Sequence, residues 1–273
     1  MITDTENGSS SSVFFSAIRD KKISVIVPVY NEARSIIENL DLLISEISPY
    51  FTNYEIIVIS DGSTDGTDKL LSKQSHPNVK TILLDKNRGK GYAIRQGFIE
   101  GKGDFFLFID GGMELHPKEI KVLLGLQALY DADIVVGSKR HPQSDIQYPL
   151  VRRILSFILQ QIVKQLFDLD VTDTQVGLKL FRKEVVEAIR DDLSINRYGF
   201  DLEVLAFARH KGFKRMLEAP IRLDYFCGEP RPFYVELPHI FRVGLEVAKD
   251  TLRVYLKYRA LKKKTPKVVV GIV

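Results

Sequence analysis

The sequence predicts an α/β fold: a mostly parallel sheet with helices on both faces, followed by a C-terminal amphipathic helix. Three observations predict it. Short apolar runs rich in Val, Ile and Phe, of buried-strand length, recur through the first half. Between them lie segments with apolar residues at helical spacing, and such close alternation implies right-handed crossovers and parallel pairing. After Gly137 the alternation gives way to longer helical patterns.

In chain order, residues 23–28 read as the first buried strand. Ile36, Ile37, Leu40, Leu43, Ile44 and Ile47 then form the apolar face of a helix. Residues 54–60 are the second strand, and Asp-Gly-Ser-Thr-Asp-Gly-Thr at 61–67 is the turn into a second helix. Residues 79–84 are a third strand, and Asn-Arg-Gly-Lys-Gly-Tyr-Ala at 87–93 opens a third helix. The run 105–109 is too short for a membrane span and suits a buried fourth strand. It ends on Asp110-Gly-Gly-Met-Glu114, and a helix is expected from His116-Pro117, proline suiting a first turn. A fifth strand is expected at 132–136. Residues 152–167 place Ile154, Leu155, Ile158, Leu159, Ile162 and Leu166 on one side of a helix. A further helix begins at 199–205, and 220–224 reads as a final strand. From Leu237 a long helix carries Leu237, Ile240, Phe241, Leu245, Ala248, Leu252, Tyr255 and Leu256 near one stripe, with Arg242, Lys249, Arg253, Lys257 and Arg259 mostly elsewhere. Such a helix lies in a membrane interface or packs on the protein's own core or a partner.

With 273 residues the chain can bury a large core, and its 45% apolar and 27% charged residues are those of a soluble globular protein. The net charge of +4 is uneven: 257–267 is dense in Lys and Arg, which suits an anionic surface or a solvated tail. The single cysteine, Cys227, excludes an internal disulfide and a Cys-rich zinc site, and fits a reducing, cytoplasmic compartment. Residues 1–12 are polar and Ser-rich, so no secretory leader is expected. No run of about twenty apolar residues occurs, so no transmembrane helix is expected. The expected organisation is a disordered lead-in at 1–20, a catalytic domain at 21–232 and a basic amphipathic tail at 233–273.

Three strand ends carry polar clusters: Tyr30-Asn31-Glu32, Asp61-Gly62-Ser63 and Asp110 to Glu114. In a parallel sheet these loops emerge on one edge and line one crevice. Asp61 and Glu32 suit hydrogen bonds from a base or ribose. The Asn-Arg-Gly-Lys-Gly loop adds backbone N–H groups and cations at a helix start, suited to a phosphate. Asp110 and Glu114 are hard oxygen donors that a loop brings onto one Mg²⁺ or Mn²⁺; alternatively Asp110 only caps its turn. Neither G-x-G-x-x-G nor G-x-x-x-x-G-K-[ST] is present, which argues against a dehydrogenase or an ordinary P-loop NTPase.

Val27-Pro-Val-Tyr-Asn-Glu32, the 61–67 turn, the 87–93 loop and the acidic strand end at Asp110, in that order, resemble family 2 inverting glycosyltransferases of the Rossmann-like GT-A fold. Within that family, Gly137-Ser-Lys-Arg-His141 and Asp173-Thr-Gln-Val-Gly-Leu-Lys-Leu-Phe181 resemble the polyprenyl (dolichyl) phosphate sugar transferases, glucosyl branch before mannosyl. The resemblance implies a nucleotide-sugar donor, UDP-glucose ahead of GDP-mannose, held by Pro28, Tyr30, Asn31, Glu32, Asp61, Lys90, Asp110 and Gly111. It implies Mg²⁺ or Mn²⁺ on an Asp-x-Asp motif. Here Gly112 replaces the second Asp, and Glu114 is expected to restore the charge.

The implied reaction is attack of a lipid phosphate oxygen on the anomeric carbon. That nucleophile is already anionic near neutral pH, so the demand falls on the leaving nucleoside diphosphate. Asp110 and Arg222, with Lys139 or Arg140 and Arg152 or Arg153 near the acceptor phosphate, form the expected catalytic set. Asp201 and Glu203 are site carboxylates or structural ones. The expected setting is the cytoplasmic face of a membrane, peripherally bound, with the membrane surface and a membrane-anchoring partner subunit as partners and no nucleic acid. The alternatives are transfer to a saccharide hydroxyl, or an inactive nucleotide-binding partner subunit, motivated by Gly112.

Overall fold

A computed structural model describes residues 18–146, 160–167, 169–223 and 233–264. The first half alternates as the apolar runs require: β1 (Lys22–Val29), α1 (Ile36–Ile47), β2 (Asn53–Ser60), α2 (Thr67–Leu71), β3 (Val79–Leu83), α3 (Lys90–Glu100) and β4 (Phe105–Ile109). A 3₁₀ turn, Pro117–Glu119, leads into α4 (Ile120–Tyr130); proline opens the turn, and the His116 ring accepts the Lys118 N–H. Then come β5 (Ile134–Ser138), β6 (Asp145–Ile146), β7 (Leu178–Arg182), α5 (Lys183–Ile189), α6 (Phe200–His210), β8 (Met216–Pro220), β9 (Arg222–Leu223) and α7 (Phe233–Lys264).

The main sheet runs β3-β2-β1-β4-β7-β5-β8. Only β7 is antiparallel to its neighbours, β4 and β5; the other pairs are parallel. Alternate residues of each strand face opposite sides, so the sheet separates two apolar clusters. Ile26, Ile57 and Phe108 pack with α3, α5 and α6 on one side, and Val25, Val27 and Ile56 pack with α1 and α4 on the other. This topology decides where chemistry can be placed. The carboxyl ends of β1, β2, β4, β5 and β8 open on one edge, and β7 begins there.

Several expectations are corrected. The fifth strand starts at 134 rather than 132. Asp131 takes a left-handed φ of 48° to end α4, and Asp133 accepts the Arg215 N–H as the ladder begins. The final strand is two: β8, and β9 paired with β6. β8 escaped notice because its Glu218 interrupts the apolar pattern; that carboxylate accepts the N–H groups of Thr172 and Asp173. Residues 160–167 are helical as expected, but Val163 and Phe167 are buried while Ile162 faces solvent; 152–159 lie outside the described residues. Of the lead-in, residues 1–17 lie outside the described residues, and Ile18 is buried in the cluster under α1 and α4.

The largest correction concerns α7. It begins at 233, and the face it buries is not the expected stripe. Val247, Thr251, Val254 and Tyr258 are buried, and Val254 and Tyr258 join the same core as α6. Leu245, Leu252 and Leu256 turn outward at 48%, 57% and 57% exposure. Among the described residues no helix is long and apolar enough to cross a membrane.

Candidate active site

The loops after β1, β2 and β3 are tied to one another through side chains that satisfy backbone groups. Asn31 takes a left-handed φ of 59° and accepts the Thr64 N–H at 2.8 Å, while its own N–H goes to Ser63 Oγ. The Glu32 N–H reaches Thr67 Oγ1, and the Ala33 N–H reaches Asp65. Asp61 is buried and holds the third loop with both oxygens, accepting the N–H groups of Arg88 and Gly89 at 2.7 Å each. Such charge-assisted bonds are worth about 1.5–3 kcal/mol each. They set the start of α3, whose first residue is Lys90. The approach is close enough to demand glycine at 62: its φ is +69°, and a Cβ would sit 2.3 Å from the Lys86 carbonyl carbon.

Asp110 sits at the end of β4, and its N–H bonds to the Gly177 carbonyl at the start of β7. Gly111 bonds the Pro28 carbonyl through its N–H and receives Asn39 Nδ2 at its own carbonyl, so the ends of β1 and β4 are locked side by side. Across this junction Lys90 Nζ lies 2.7 Å from Asp110 Oδ1. Burial works against the Lys90 charge, but Asp110, Asp201 and Glu114 outweigh it and hold the ammonium above the usual lysine range. Glu114 is exposed. Glu32 is half-buried beside Gly112: a Cβ at 112 would stand 3.0 Å from Glu32 Oε1. Burial, with Asp65 and Glu114 nearby, raises the Glu32 carboxyl, while the Ser35 hydroxyl opposes that.

On the other half of the edge, Lys139 and Arg140 follow β5, and Arg222 is exposed on β9. The Lys139 N–H bonds to Asp173, and the Arg140 guanidinium to Gln160. Arg222 lies beside Glu119 in the turn that follows the Asp110 loop; burial raises the Glu119 carboxyl, and the charges of Lys118 and Arg222 oppose it. Arg152 and Arg153 lie outside the described residues. The edge thus brings together Pro28, Tyr30, Asn31, Glu32, Asp61, Lys90, Asp110, Gly111 and Glu114 on one side, with Lys139, Arg140 and Arg222 following the strand ends on the other.

Sequence reasoning missed one buried pair. Lys179 on β7 is fully buried, donates to the Val176 carbonyl, and meets Asp201 Oδ1 at 2.5 Å. Burial lowers its pKa, and Asp201 opposes the shift. The signal was a lysine at an inward position of Leu-Lys-Leu-Phe, which needs an acid partner that only the fold supplies. Glu203 is resolved as structural: it accepts the N–H groups of Ser194 and Ile195 and meets Lys257 of α7.

Among the described residues no three His, Cys, Asp or Glu side chains are gathered to hold a metal. The donors present are hard carboxylate oxygens, and Lys90 already stands as a cation on Asp110. That chemistry fits Mg²⁺ or Mn²⁺ carried by one or two carboxylates and completed by substrate phosphates, rather than an all-protein cage. A cavity of about 310 Å³ lined by Lys21, Asp104, Asp131 and Arg182 lies at the opposite sheet edge, away from these residues.

A family model described as Glycosyl transferase family 2 matches residues 24–190. The chain is similar to the dolichyl-phosphate beta-glucosyltransferase of Homo sapiens, 34% identical over 255 residues, covering 87% of this chain and 76% of that protein. It is 31% identical to the protein of the same name from Dictyostelium discoideum, covering 86% and 74%. Among solved structures, glucosyl-3-phosphoglycerate synthase from Mycobacterium tuberculosis in complex with Mn²⁺, UDP and phosphoglyceric acid has a TM-score of 0.65 at 20% identity, covering 99% of this chain and 88% of that one. That likeness speaks to the fold, which is the GT-A arrangement the motifs led us to expect.

Proposed function

We infer that this chain, which belongs to glycosyl transferase family 2, is a hexosyltransferase that moves a sugar from a nucleotide donor to dolichyl or another polyprenyl phosphate. The names of the relatives favour glucose from UDP-glucose over mannose from GDP-mannose. The observation that carries the reading is the Asp110–Lys90 pair at the carboxyl edge of the sheet, on loops whose backbone groups are already satisfied.

In this reading Pro28, Tyr30, Asn31, Glu32 and Gly111 border the nucleoside, and Asp61 acts by fixing the loop that presents Lys90 to the diphosphate. The acceptor phosphate oxygen attacks the anomeric carbon from the face opposite the nucleoside diphosphate. The bond from that carbon to the β-phosphate oxygen breaks, and the configuration inverts. Lys139, Arg140 and Arg222, with Arg152 and Arg153, draw the acceptor phosphate toward a second anion; arginine adds a bidentate clamp that lysine lacks. Mg²⁺ or Mn²⁺, when bound at Asp110 and Glu114, neutralises the charge that develops on the departing diphosphate. A phosphate nucleophile needs no general base. In accord with that, Asp201 is paired with Lys179, and Glu203 with Ser194, Ile195 and Lys257, which takes these two carboxylates out of the role of general base.

Purified protein with labelled UDP-glucose, a short polyprenyl phosphate and Mn²⁺ is expected to yield label that extracts into organic solvent. Label appearing on a water-soluble saccharide, or remaining in the donor, overturns the reading.

We further propose peripheral attachment to a membrane, on its cytoplasmic face; the outward face of α7 supports the attachment. Leu245, Leu252 and Leu256 form an apolar ridge flanked by exposed Lys249, Arg253, Arg259 and Lys262. Leu252→Asp with Leu256→Asp is expected to abolish co-sedimentation with anionic vesicles while leaving the melting temperature unchanged. Unchanged sedimentation would shift the ridge to a membrane-anchoring partner subunit.

A further inference from the structure

In this structure the cation on Asp110 is a lysine. Lys90 Nζ stands 2.7 Å from Asp110 Oδ1, with both side chains partly exposed. A divalent cation binds a carboxylate oxygen at about 2.0–2.6 Å, so a metal and this ammonium compete for the same oxygen. The other oxygen offers little room: a Cβ at Gly177 would lie 2.0 Å from Asp110 Oδ2, so the backbone that enters β7 passes close against it. Approach to Asp110 is therefore governed by where Lys90 points.

Lys90 has a second anion within electrostatic reach. Asp201 acts on its charge along with Asp110 and Glu114. Asp201 is anchored by Lys179, and the two lysines lie over the same aromatic ring, with Nζ 5.6 Å (Lys90) and 4.8 Å (Lys179) from the Phe108 centroid. The ammonium can thus leave Asp110 without leaving favourable charge, since the Phe108 ring and the Asp201 carboxylate also act on it and a diphosphate would supply a further anion.

Resting on the transferase reading, we propose that Lys90 is an exchangeable counter-ion that occupies Asp110 in the free enzyme and turns to the diphosphate when nucleotide enters. That turn opens Asp110 to the divalent cation. Nucleotide and cation then bind cooperatively, and the free enzyme resists loading with metal alone. The reciprocity is thermodynamic: whatever UDP does to the affinity for cation, the cation does to the affinity for UDP.

The test measures Mn²⁺ binding alone, UDP binding alone, and each in the presence of the other, by calorimetry and by the resonance signal of free Mn²⁺. In the parent protein UDP is expected to tighten Mn²⁺ at least about tenfold. Lys90→Met is expected to bind Mn²⁺ alone about tenfold more tightly than the parent, to bind UDP alone more weakly, and to show smaller coupling. Lys90→Arg, which keeps the positive charge at Asp110, is expected to restore weak binding of Mn²⁺ alone. Affinity of Lys90→Met for Mn²⁺ alone that equals or falls below that of the parent, no measurable binding to either included, overturns the proposal. The transfer assay is independent. Transfer by the parent together with unchanged Mn²⁺ affinity in Lys90→Met removes the counter-ion role and leaves the transferase. Tighter Mn²⁺ binding without transfer does the reverse.

Discussion

Two regions of the same sheet edge use carboxylates in opposite ways. In the loops after β1, β2 and β3, acids close hydrogen bonds within the protein: Asp61 on Arg88 and Gly89, and Asp65 on Ala33 and Thr67. In the Asp110 loop, the Asp110 side chain meets the end of the Lys90 side chain through an ion pair, and Glu114 is exposed. A carboxylate saturated by backbone N–H groups is scaffold, because its lone pairs point at fixed partners. A carboxylate held by an exchangeable cation remains open to a ligand. The first region builds the wall of the crevice, and the second faces what enters it.

Substitutions on the two sides should separate accordingly. The largest effect is expected from Asp110→Asn, which keeps shape and removes charge: transfer should fall by about 10²–10³ or more while the melting temperature stays unchanged. Comparable melting curves beside assayed rates check this, and a large loss of stability would break the contrast. Next comes Gly177→Ala. Its added Cβ would stand 2.0 Å from Asp110 Oδ2 and must push that carboxylate away, so transfer should drop by about 10². A crystal structure of the variant should show Asp110 displaced.

Asp61→Ala probes the scaffold side. It leaves two N–H groups, one buried and one part-buried, without their acceptor and should destabilise the protein by about 2–4 kcal/mol, read as a lowered midpoint in denaturant. Donor affinity falls with it because Lys90 loses its anchor. If activity fell with stability intact, Asp61 would belong with Asp110 instead. The smallest effect is expected from Glu32→Gln. The Glu32 carboxyl is raised above its ordinary 4.5, so the native state holds that proton more tightly than the unfolded chain. Ionisation therefore lowers stability as pH rises through 4.5 and the raised value. The glutamine variant should be slightly more stable than the parent at pH 7, and the difference should vanish as pH falls through that window.

Much of this was legible in the chain. The runs at 105–109 and 56–59 are apolar throughout, which marks strands covered on both faces, and their ends place Asp61 and Asp110 at one edge. The loop at 87–91 announced a helix start with cations. The role of Asp61 was not legible, since a strand-end aspartate reads alike whether it clamps a neighbouring loop or awaits a cation. Lys179 and Asp201 lie 22 residues apart and pair only because β7 runs antiparallel between β4 and β5.

α7 draws the same line. Its sequence determined that apolar and basic residues would share a helix, because side chains three and four apart must fall together. Which apolar residues would be buried was decided by the body against which the helix lies: Val254 and Tyr258 found the core, and Leu252 and Leu256 did not. Local periodicity and strand composition arise from neighbours along the chain, so the sequence alone determined the elements and the edge where chemistry gathers. Pairing of charge and choice of face depend on surfaces brought together from distant positions, and only the tertiary structure decided those.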